Sequence, residues 1–451
     1  MKFNEKEILT ACNAEVLKNS DKSLLFEIST DTRTIKEGQI YLPLKGETFD
    51  GEKFISQALE KGAIGYFTTG SEVFEGAEVV FKVQNTLTAY LELARYLRRK
   101  YNPKTVAITG SSGKTTTKEM VYAVLSEKFN TQKTLSNHNN EIGLCQTIFG
   151  INEDTEALIV EMGMRGLGEI ELLSKYSEPD FAIITNAGSA HLGRLGSLDN
   201  IAKAKSEIVN HLNMNGALIA NDNPRLHKFT ENYKGERVWF SISDVEILEQ
   251  RQGYSKYLYK EREYELNVEG SYNIENSLSA IEVALKMGMS YEEIKSGLLR
   301  YHPIEKRWEA ETIGGFSVIN DSYNANPESM KASVSTFLAL YKNPVVILGN
   351  MGELGSQEEE LHSEVGKFLA DMISKNSALN EVKFLTVGHL AEKIGENLKK
   401  QGVFARNFEN NIDAARYVLE NIKIGSTIFL KASRAMKFEE IIEYLRENKK
   451  S

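Results

Sequence analysis

The architecture of this chain follows from one stretch, Thr105-Val106-Ala107-Ile108-Thr109-Gly110-Ser111-Ser112-Gly113-Lys114-Thr115-Thr116-Thr117-Lys118. Its β-branched start predicts a buried strand, its Gly/Ser turn predicts a loop, and residues 119–129 have the pattern of a helix. This order is typical of a nucleotide-triphosphate site, because inward-turned N–H groups and a helix N-terminus favour anions. Lys114 can reach the β- and γ-phosphates, and the Thr115 hydroxyl can bind Mg²⁺. Ile108 departs from the strict G-x-x-x-x-G-K-[ST] pattern, and the alternative is an ordinary turn before a helix.

The composition is that of an ordinary globular protein. The chain has 451 residues, 41% of them hydrophobic and 26% charged, a size that predicts about two to four domains. A formal charge of −9 argues against a broad surface for nucleic acid or for an anionic membrane. Cys12 and Cys145 match no metal-binding or redox spacing, so we expect reduced thiols. Because neither an apolar leader nor a membrane-spanning run is present, we expect a cytoplasmic protein.

Changes of pattern along the chain predict three domains of the α/β class. Residues 1–98 alternate short strands with turns, and a helix at 86–100 closes this domain. Residues 99–303 repeat strand, loop and helix, as expected for a mostly parallel sheet. Residues 304–451 repeat that pattern as a second doubly wound unit without a phosphate loop of its own. The predicted strands are residues 105–109, 157–160, 181–185, 217–220, 238–240, 316–320, 345–348, 383–387 and 427–430.

Two polar clusters in the first domain are candidate ligand sites. They are Ser29-Thr30-Asp31-Thr32-Arg33 and Leu44-Lys45-Gly46-Glu47-Thr48-Phe49-Asp50-Gly51. Each cluster combines hydroxyls, a cation and a flexible backbone, which is what binding of a diphosphate or a sugar requires. Taken alone, either cluster is more often a polar turn.

Polar residues also follow strands of the central domain, where ligands of such sheets bind. Glu161 follows one strand, and His191 lies in the loop after the next. A carboxylate beside a phosphate loop is the usual way to hold Mg²⁺, and the alternative is an exposed charge at a strand end. For His191, a metal-binding role and a hydrogen-bonded loop histidine fit the spacing equally well.

Three further segments have ordinary structural explanations. Lys203 and Lys205 lie on a predicted helix whose lysines would ordinarily face solvent. Asn273 and Asn276 begin an Ala/Leu-rich helix and could contact an adenine edge, although an asparagine at this place is first of all an N-cap. The string Asn221-Asp222-Asn223-Pro224-Arg225 follows a strand and is typical of a turn.

Four motifs occur in a fixed order along the chain. They are Thr109-Gly110-Ser111-Ser112-Gly113-Lys114-Thr115-Thr116, Asn137-His138-Asn139-Asn140-Glu141-Ile142-Gly143, Glu161-Met162-Gly163 and Asp321-Ser322-Tyr323-Asn324-Ala325-Asn326-Pro327. In this order they resemble the Mur ligase family, the ATP-dependent amide-forming enzymes of peptidoglycan synthesis. The second and fourth motifs resemble most the member that adds D-alanyl-D-alanine to UDP-N-acetylmuramoyl-tripeptide.

The resemblance implies a role for each matching residue. Thr115 and Glu161 would hold the Mg²⁺ of ATP, and His191 would help to bind a second Mg²⁺. Lys205 matches the family lysine that is carbamylated, with Lys203 as the competing position. The implied ATP-binding residues are Gly110, Ser111, Ser112, Gly113, Lys114, Thr115, Thr116, Asn273, Asn276, Arg307 and Asp321, and the implied catalytic residues are Lys114, His191 and Lys205. The implied substrate-binding residues are Asp31, Thr32, Arg33, Lys45, Gly46, Asn139, Asn140, Tyr323, Asn324 and Asn326.

Two residues depart from the family pattern. Tyr272 replaces the more usual histidine beside the adenine, and Glu52 stands where a histidine is common in the sugar-binding domain. We therefore expect base stacking and part of the sugar pocket to differ from those of the family.

The resemblance also implies a reaction in two steps. ATP would phosphorylate the tripeptide carboxylate, and the amine of D-alanyl-D-alanine would capture the resulting acyl phosphate. Lys114 and two Mg²⁺ ions would stabilise the charge that develops. Residues 1–98, 99–303 and 304–451 would then be the UDP-substrate, ATP-binding and Rossmann-like ligase domains of a monomer. The alternatives are a sibling ligase or a folylpolyglutamate synthase with the same mechanism, and a nucleotide switch that does not ligate.

Overall fold

The computed structural model describes residues 2–19, 25–46, 49–379 and 381–448. Contacts within the chain separate two compact units. The first contains residues 1–105, 130–160 and 172–178, and the second contains residues 106–129, 161–171 and 179–451. Within the described ranges, no helix is both long enough and apolar enough to cross a membrane.

The first unit is built on a mixed sheet. Its strands are β1 (Lys2–Asn4), β2 (Glu15–Lys18), β3 (Leu25–Ser29), β4 (Gln39–Tyr41), β5 (Gly65–Thr68) and β6 (Val79–Lys82). They pair in the order β1-β3-β4-β5-β6-β2, with β3 to β6 parallel and the two edge strands antiparallel. Its first helices are α1 (Glu5–Cys12), α2 (Ile55–Glu60) and α3 (Thr86–Tyr101).

Helix α3 confirms the helix predicted at residues 86–100. Asn85 caps its start by accepting a hydrogen bond from the Thr88 N–H at 2.8 Å. The helix ends where Asn102 takes a left-handed conformation just before Pro103, which cannot continue a helix. Cys145 is a free, buried thiol whose Sγ lies 3.7 Å from the backbone oxygen of Tyr90 in this helix.

The strands around the phosphate loop are parallel, as predicted. They are β7 (Lys104–Thr109), β8 (Thr131–Lys133), β9 (Ala157–Glu161), β10 (Phe181–Ile184), β11 (Ala217–Asn221) and β12 (Glu236–Phe240). In the second unit the pairing order is β12-β11-β10-β7, and in the first unit β8 pairs with β9. The apolar residues of β7, Val106 to Ile108, have no exposed surface, which explains their continuous hydrophobic run.

Helices follow most of these strands. They are α4 (Lys114–Leu125), α5 (Glu141–Ile148), α6 (Glu169–Ser177), α7 (Leu192–Leu195), α8 (Leu198–Ser206), α9 (Pro224–Thr230), α10 (Ser271–Lys286) and α11 (Tyr291–Arg300). The sequence places the helix after the phosphate loop at residues 119–129, and this is wrong at both ends. The helix begins directly after Gly113, whose left-handed conformation (φ +79°) ends the loop.

An antiparallel sheet of three strands was not predicted. Its strands are β13 (Val245–Arg251), β14 (Tyr254–Tyr259) and β15 (Arg262–Leu266), paired in that order. In β14 every second residue is buried, the period of a strand with one face on the core. Ser255 and Lys256 stand between its first two tyrosines, so the strand has no continuous apolar run.

The C-terminal part of the second unit contains another sheet, in which only one pair is antiparallel. Its strands are β16 (Glu309–Ile313), β17 (Phe316–Asn320), β18 (Pro344–Gly349), β19 (Lys383–Val387), β20 (Ala405–Phe408) and β21 (Thr427–Lys431). They pair in the order β16-β17-β21-β18-β19-β20, with β16 antiparallel to β17. Its helices are α12 (Pro327–Leu340), α13 (Glu358–Ser374), α14 (Glu392–Lys400), α15 (Asn411–Asn421) and α16 (Glu439–Glu447). All the predicted strands exist, and the unpredicted β16 and β20 form the sheet edges.

Candidate functional site

Two glycines shape the loop between β7 and α4. A Cβ at Gly110 would lie 1.8 Å from Thr185 Oγ1, and a Cβ at Gly113 would lie 2.5 Å from Asn276 Oδ1. Neither position therefore accepts a side chain in this geometry. Ile108 is buried inside β7, so the loop begins at Gly110 and has no need of a glycine at residue 108.

The start of α4 offers its backbone N–H groups to a ligand. Its N-cap is Gly113, which has no side chain to accept hydrogen bonds from Lys114, Thr115 or Thr116. The first N–H groups of a helix lack intrahelical partners, and their partial positive charge attracts anions. Lys114 Nζ donates to the Gly110 backbone oxygen at 2.7 Å, which holds the ammonium over the loop. Burial lowers the Lys114 pKa, and a bound phosphate would favour the charged form.

Asn186 holds the loop in place, a role that the sequence alone does not reveal. Its Oδ1 accepts from the N–H groups of Ser111 at 3.1 Å and Ser112 at 3.0 Å. Its Nδ2 donates to Ser112 Oγ at 3.0 Å, and Thr185 Oγ1 donates to the Ser112 backbone oxygen at 2.6 Å. The two serine N–H groups thus point at Asn186, unlike the inward-turned cradle expected for them. The signal available in the sequence was the position of Asn186 just after a strand.

Glu161 lies against the phosphate loop in a buried polar cluster. Thr115 Oγ1 donates to Glu161 Oε2 at 2.8 Å, and both residues are only 4% exposed. Arg307 Nη2 donates to Thr115 Oγ1 at 2.9 Å. Lys118 Nζ is fully buried and lies 3.7 Å from Glu161 Oε2. The alternative of an exposed strand-end charge is therefore wrong for Glu161, and Lys118 is a neighbour that the sequence interpretation missed.

Arg307 contacts an aromatic ring from the C-terminal part of the chain, and two further cations of that part lie at its strand ends. The guanidinium carbons of Arg307 and Arg434 lie 3.6 and 5.2 Å from the centroid of the Tyr323 ring. Such cation–π contacts hold the guanidinium groups in place. Lys431, which is 3% exposed and follows a predicted strand, donates to Asp321 Oδ2 at 2.6 Å. Three of the residues implied by the resemblance, Arg307, Asp321 and Tyr323, thus take part in contacts that involve cations.

The two asparagines at the start of α10 differ in their contacts. Gly270 is the N-cap of this helix, so the N-cap explanation is wrong for both. Asn276 lies beside Gly113 of the phosphate loop. Asn273 is buried, and its Nδ2 donates to the Glu269 backbone oxygen at 2.6 Å. Tyr272 packs edge-to-face on Trp308 with a centroid distance of 5.9 Å, so its ring already has an aromatic partner.

His191 has a carboxylate partner that the sequence did not predict. His191 Nδ1 lies 2.5 Å from Glu353 Oε2, a residue of the loop that follows β18. His191, with Arg194 and Arg165 at longer range, lowers the pKa of the Glu353 carboxyl. Glu353 therefore stays ionised near neutral pH, and the contact leaves Nε2 of the imidazole as the nitrogen that can meet a ligand.

The two lysines of α8 lie in different environments. Lys203 is exposed, whereas Lys205 is 1% exposed. The expectation that both face solvent is therefore wrong for Lys205. Among the described residues, no carboxylate lies within 4.0 Å of Lys205 Nζ, and burial together with the nearby Lys114 sets its pKa far below the ordinary value. The neutral amine is the favoured form of Lys205.

The two polar clusters of the first unit converge on Tyr41. Arg33 Nη2 lies 2.7 Å from Asp31 Oδ2, and the Arg33 guanidinium lowers the pKa of that carboxyl to about 2. Lys45 Nζ lies 3.5 Å from Asp50 Oδ2. Burial and the charges of Asp31 and Asp50 raise the pKa of Tyr41 to about 12. One carboxylate from each cluster therefore acts on the same tyrosine.

Other predicted residues of these clusters have local partners. Thr32 Oγ1 donates to Gln57 Oε1 at 3.1 Å, and the Gly46 N–H donates to the Phe49 backbone oxygen at 2.8 Å. Glu52, the departure from the family pattern, accepts from the Thr69 N–H at 2.6 Å. Glu47 and Thr48 lie outside the described residues.

The remaining predicted substrate-binding asparagines have mainly structural contacts. Asn140 is the N-cap of α5 and Asn326 is the N-cap of α12, each accepting from the N–H three residues on. Asn324 Oδ1 accepts from the N–H of the next residue, and Asn139 is half-buried. Capping engages one face of an amide oxygen, so these contacts neither support nor oppose a second role in substrate binding.

Three models of one family match successive parts of the chain. The Mur ligase family catalytic domain matches residues 26–101, the Mur ligase middle domain 108–284, and the Mur ligase glutamate ligase domain 306–434. A UDP-N-acetylmuramoyl-tripeptide–D-alanyl-D-alanine ligase from Bacillus subtilis is 36% identical over 443 residues, which are 95% of this chain and 94% of the relative. This chain belongs to the Mur ligase family.

Solved structures of this family have the same fold. MurF from Acinetobacter baumannii superposes with a TM-score of 0.90 at 27% identity, covering 99% of both chains. MurF from Thermotoga maritima, solved in complex with ADP, gives a TM-score of 0.81 at 26% identity, covering 93% of this chain and 97% of that one. The chain therefore has the three-domain α/β fold of the Mur ligases and is an ATP-dependent, ADP-forming ligase.

Proposed function

We propose that this chain joins the amine of D-alanyl-D-alanine to the terminal carboxylate of UDP-N-acetylmuramoyl-tripeptide, while ATP becomes ADP and phosphate. The observation that carries the proposal is the cluster of Lys114, Thr115, Glu161 and Arg307, which gathers two cations and a buried carboxylate at the start of α4. The name and extent of the Bacillus subtilis relative support the choice of substrates. We assign residues 1–98 to the UDP-substrate, 99–303 to ATP and 304–451 to the incoming dipeptide, and place the reaction in the cytoplasm.

In the first step, a carboxylate oxygen of the tripeptide attacks the γ-phosphorus of ATP. A new P–O bond forms, the bond to the β-phosphate oxygen breaks, and ADP leaves with the electron pair. Both reactants are anions, so positive groups near the γ-phosphate lower the barrier. Lys114 and Arg307 are placed for this work, since both contact the phosphate loop. Asn276 would support the nucleotide from its place beside Gly113.

The donor atoms present fit Mg²⁺, a cation that prefers oxygen ligands. Thr115 and Glu161, whose oxygens lie 2.8 Å apart, would hold one ion, and His191 would help to hold a second. Lys205 would join His191 if carbamylated, because the carbamate supplies anionic oxygens in place of a cation. When bound, Mg²⁺ neutralises phosphate charge. The burial of Lys205 supports this modification, since the neutral amine is the form that reacts with CO₂.

In the second step, the dipeptide nitrogen attacks the carbonyl carbon of the acyl phosphate. The tetrahedral intermediate collapses as its bond to the phosphate oxygen breaks, phosphate leaves with that electron pair, and the nitrogen loses a proton. The UDP end of the substrate would bind Asp31, Thr32, Arg33, Lys45 and Gly46, where two cations are available for the diphosphate. Tyr323, whose ring contacts two guanidinium groups, would contact the substrates.

The decisive experiment measures ADP release and product mass with each candidate amine. Purified protein receives Mg²⁺, ATP and UDP-N-acetylmuramoyl-tripeptide with either lysine or diaminopimelate at the third position. We expect ADP release to depend on D-alanyl-D-alanine and to match pentapeptide formation one for one. ADP release that is independent of the dipeptide, or dependent on a single amino acid instead, would reject the proposal.

A second experiment tests the role of Lys205. Lys205→Ala should lose most of its activity and recover part of it when short-chain carboxylates are added, because these can replace a missing carbamate. The matched control is Lys203→Ala, which removes an exposed lysine from the same helix and should keep full activity. Equal losses in the two variants, or full activity in Lys205→Ala, would exclude the carbamate.

A further inference from the structure

The contact between His191 and Glu353 joins two loops that are far apart in sequence. His191 follows β10 and has a left-handed backbone (φ +66°), and Glu353 follows β18 and has one as well (φ +63°). Their side chains meet at 2.5 Å, from Nδ1 to Oε2. A carboxylate oxygen this close repels a lone pair and attracts a proton, so the ion-pair contact favours imidazole forms with a proton on Nδ1, and the lone pair of the neutral form then lies on Nε2.

The two loops are held together by their backbones as well. The Gly193 N–H donates to the Glu353 backbone oxygen at 3.2 Å. A Cβ at Gly193 would lie 2.5 Å from Gly355 N, and a Cβ at Gly355 would lie 2.6 Å from Gly193 Cα. Only glycine at both positions permits this approach, so the backbones bring Glu353 to the imidazole.

The loop that carries Glu353, residues 350–355, is anchored at its base. Asn350 Oδ1 accepts from the Ala391 N–H at 2.8 Å, and the Asn350 backbone oxygen accepts from Ser433 Oγ at 2.8 Å. The Met351 N–H donates to Nε2 of the fully buried His362 at 2.8 Å. The carboxylate therefore stands on a supported loop, which limits the directions from which it can meet His191.

We infer that Glu353 is a positioning residue of the ligase reaction: it holds the His191 imidazole so that Nε2 is presented to the ligand. A carboxylate behind a histidine commonly fixes the tautomer and orientation of a ligating ring, and its loss typically costs 10- to 100-fold. Since the two residues belong to the predicted domains 99–303 and 304–451, the imidazole is oriented only when both domains are in place. This inference rests on the proposed function.

A control exists in another contact of the loop after β10. Ser189 Oγ donates to Glu328 Oε2 at 2.7 Å, so Glu328, at the start of α12, also holds this loop, without touching His191. If Glu353 acts only by tying loops together, Glu328→Ala, which removes the acceptor oxygen, should imitate Glu353→Ala. If Glu353 acts through the imidazole, the two variants should differ in the protonation of the His191 ring.

The first test reads the imidazole directly and needs no turnover. Nitrogen-15 NMR of histidine-labelled protein, with the His191 signals assigned by their loss in His191→Gln, reports which ring nitrogen carries the proton. We expect Nδ1 to be protonated and Nε2 to carry the lone pair in the wild type and in Glu328→Ala, and this preference to be lost in Glu353→Ala. The same tautomer in all three proteins would overturn the inference.

The second test asks whether Glu353 acts through His191. Glu353→Ala should lower kcat about 10- to 100-fold with the KM for ATP changed less than about twofold, and Glu353→Gln, which keeps an acceptor oxygen, should recover part of the loss. In a His191→Gln background, Glu353→Ala should cost less than about twofold more. Equal losses in both backgrounds would overturn the inference. A wild-type protein that makes no pentapeptide would instead reject the proposed function. The NMR experiment would still test whether Glu353 sets the tautomer of His191.

Discussion

The phosphate loop and the candidate sugar-binding turn are built in opposite ways. Thr115 and Glu161 are each 4% exposed, and Thr115 is bonded to Arg307, 192 residues away in sequence. Asp31 and Arg33 bond to each other two residues apart, with side chains 36% and 86% exposed. A group removed from the first region leaves a buried polar partner unpaired, whereas one removed from the second leaves its partner in water. The first region is therefore held by residues far away in sequence, and the second by a local pair at the surface.

Lys114→Ala tests the phosphate loop, and we expect it to have the largest effect of these variants. The variant removes the ammonium that bridges the loop and the phosphates, so the rate of ADP release should fall about 10³-fold or more. Lys234→Ala, which removes an exposed lysine from the same unit, is the control and should match the wild type. Near-normal ADP release from pure Lys114→Ala would contradict the assignment of the loop.

Glu161→Gln should have the next largest effect and lower the activity about 10²-fold. The substitution keeps the shape but removes the anion that faces Thr115 and Lys118, so the Mg²⁺ concentration needed for half-maximal activity should also rise. A titration of activity against Mg²⁺, ending with EDTA, measures both effects, and Glu153→Gln is an exposed control. An unchanged Mg²⁺ dependence would mean that Glu161 does not hold the ion.

Asn186→Ala tests whether the loop is held from outside its own motif. The Ser112 N–H would lose its acceptor, whereas the Ser111 N–H would keep the backbone oxygen of residue 186, to which it donates at 3.2 Å. An unpaired buried donor costs about 1–3 kcal/mol, so the Kd for ADP should rise roughly 5- to 100-fold. Calorimetric titration with ADP measures the change, with the exposed Asn215→Ala as the control. If the two variants bind ADP equally, the loop is self-supporting.

Arg33→Ala probes the exposed side of the comparison and should have a smaller effect. Since its contacts are local, we expect the KM for the UDP-substrate to rise about three- to tenfold while kcat and the melting temperature stay unchanged. Lys36→Ala removes a nearby exposed cation and is the control. A fall in melting temperature would show that the turn is structural after all.

The smallest expected effect is on how stability depends on pH, and it compares a buried group, His362, with an exposed one, Asp31. Burial lowers the pKa of His362 below 6.5, so the folded state binds fewer protons than the unfolded state. Its contribution to stability is complete above pH 6.5 and is lost as the pH falls toward the folded pKa, at no more than about 1.4 kcal/mol per pH unit. Asp31 has the same sign and a lower range, since its pKa falls from 3.8 to about 2 and its contribution is lost only as the pH falls below about 4, so the exposed pair adds little change between pH 5 and pH 8.

Denaturant unfolding of the wild type and His362→Gln between pH 5 and pH 8 measures this difference. When the pH is lowered from 8 to 5, the free energy of unfolding should decrease more for the wild type than for the variant. Parallel curves for the two proteins would show that His362 is protonated equally in the folded and unfolded states.

Much of the fold could be predicted because its signals are local. The buried strand runs, the Gly/Ser loop and the polar residues at strand ends are short-range patterns, and the predicted strands all exist with ends shifted by at most two residues. The strand β14 was missed because polar residues interrupt its apolar ones, and the short edge strand β8 was missed because none of its residues is fully buried.

By itself, the sequence determined the family, the order of the elements and which residues are candidates, since periodicity and motif spacing are written in neighbouring residues. Tertiary structure alone decided which candidates meet. It buried Lys205 while exposing Lys203, brought Arg307 onto Thr115, and supplied Asn186 and Glu353 as partners. The physical reason is that burial and hydrogen bonding depend on how strands and helices pack together. A local pattern does not contain the information about which residues, hundreds of positions apart, come into contact.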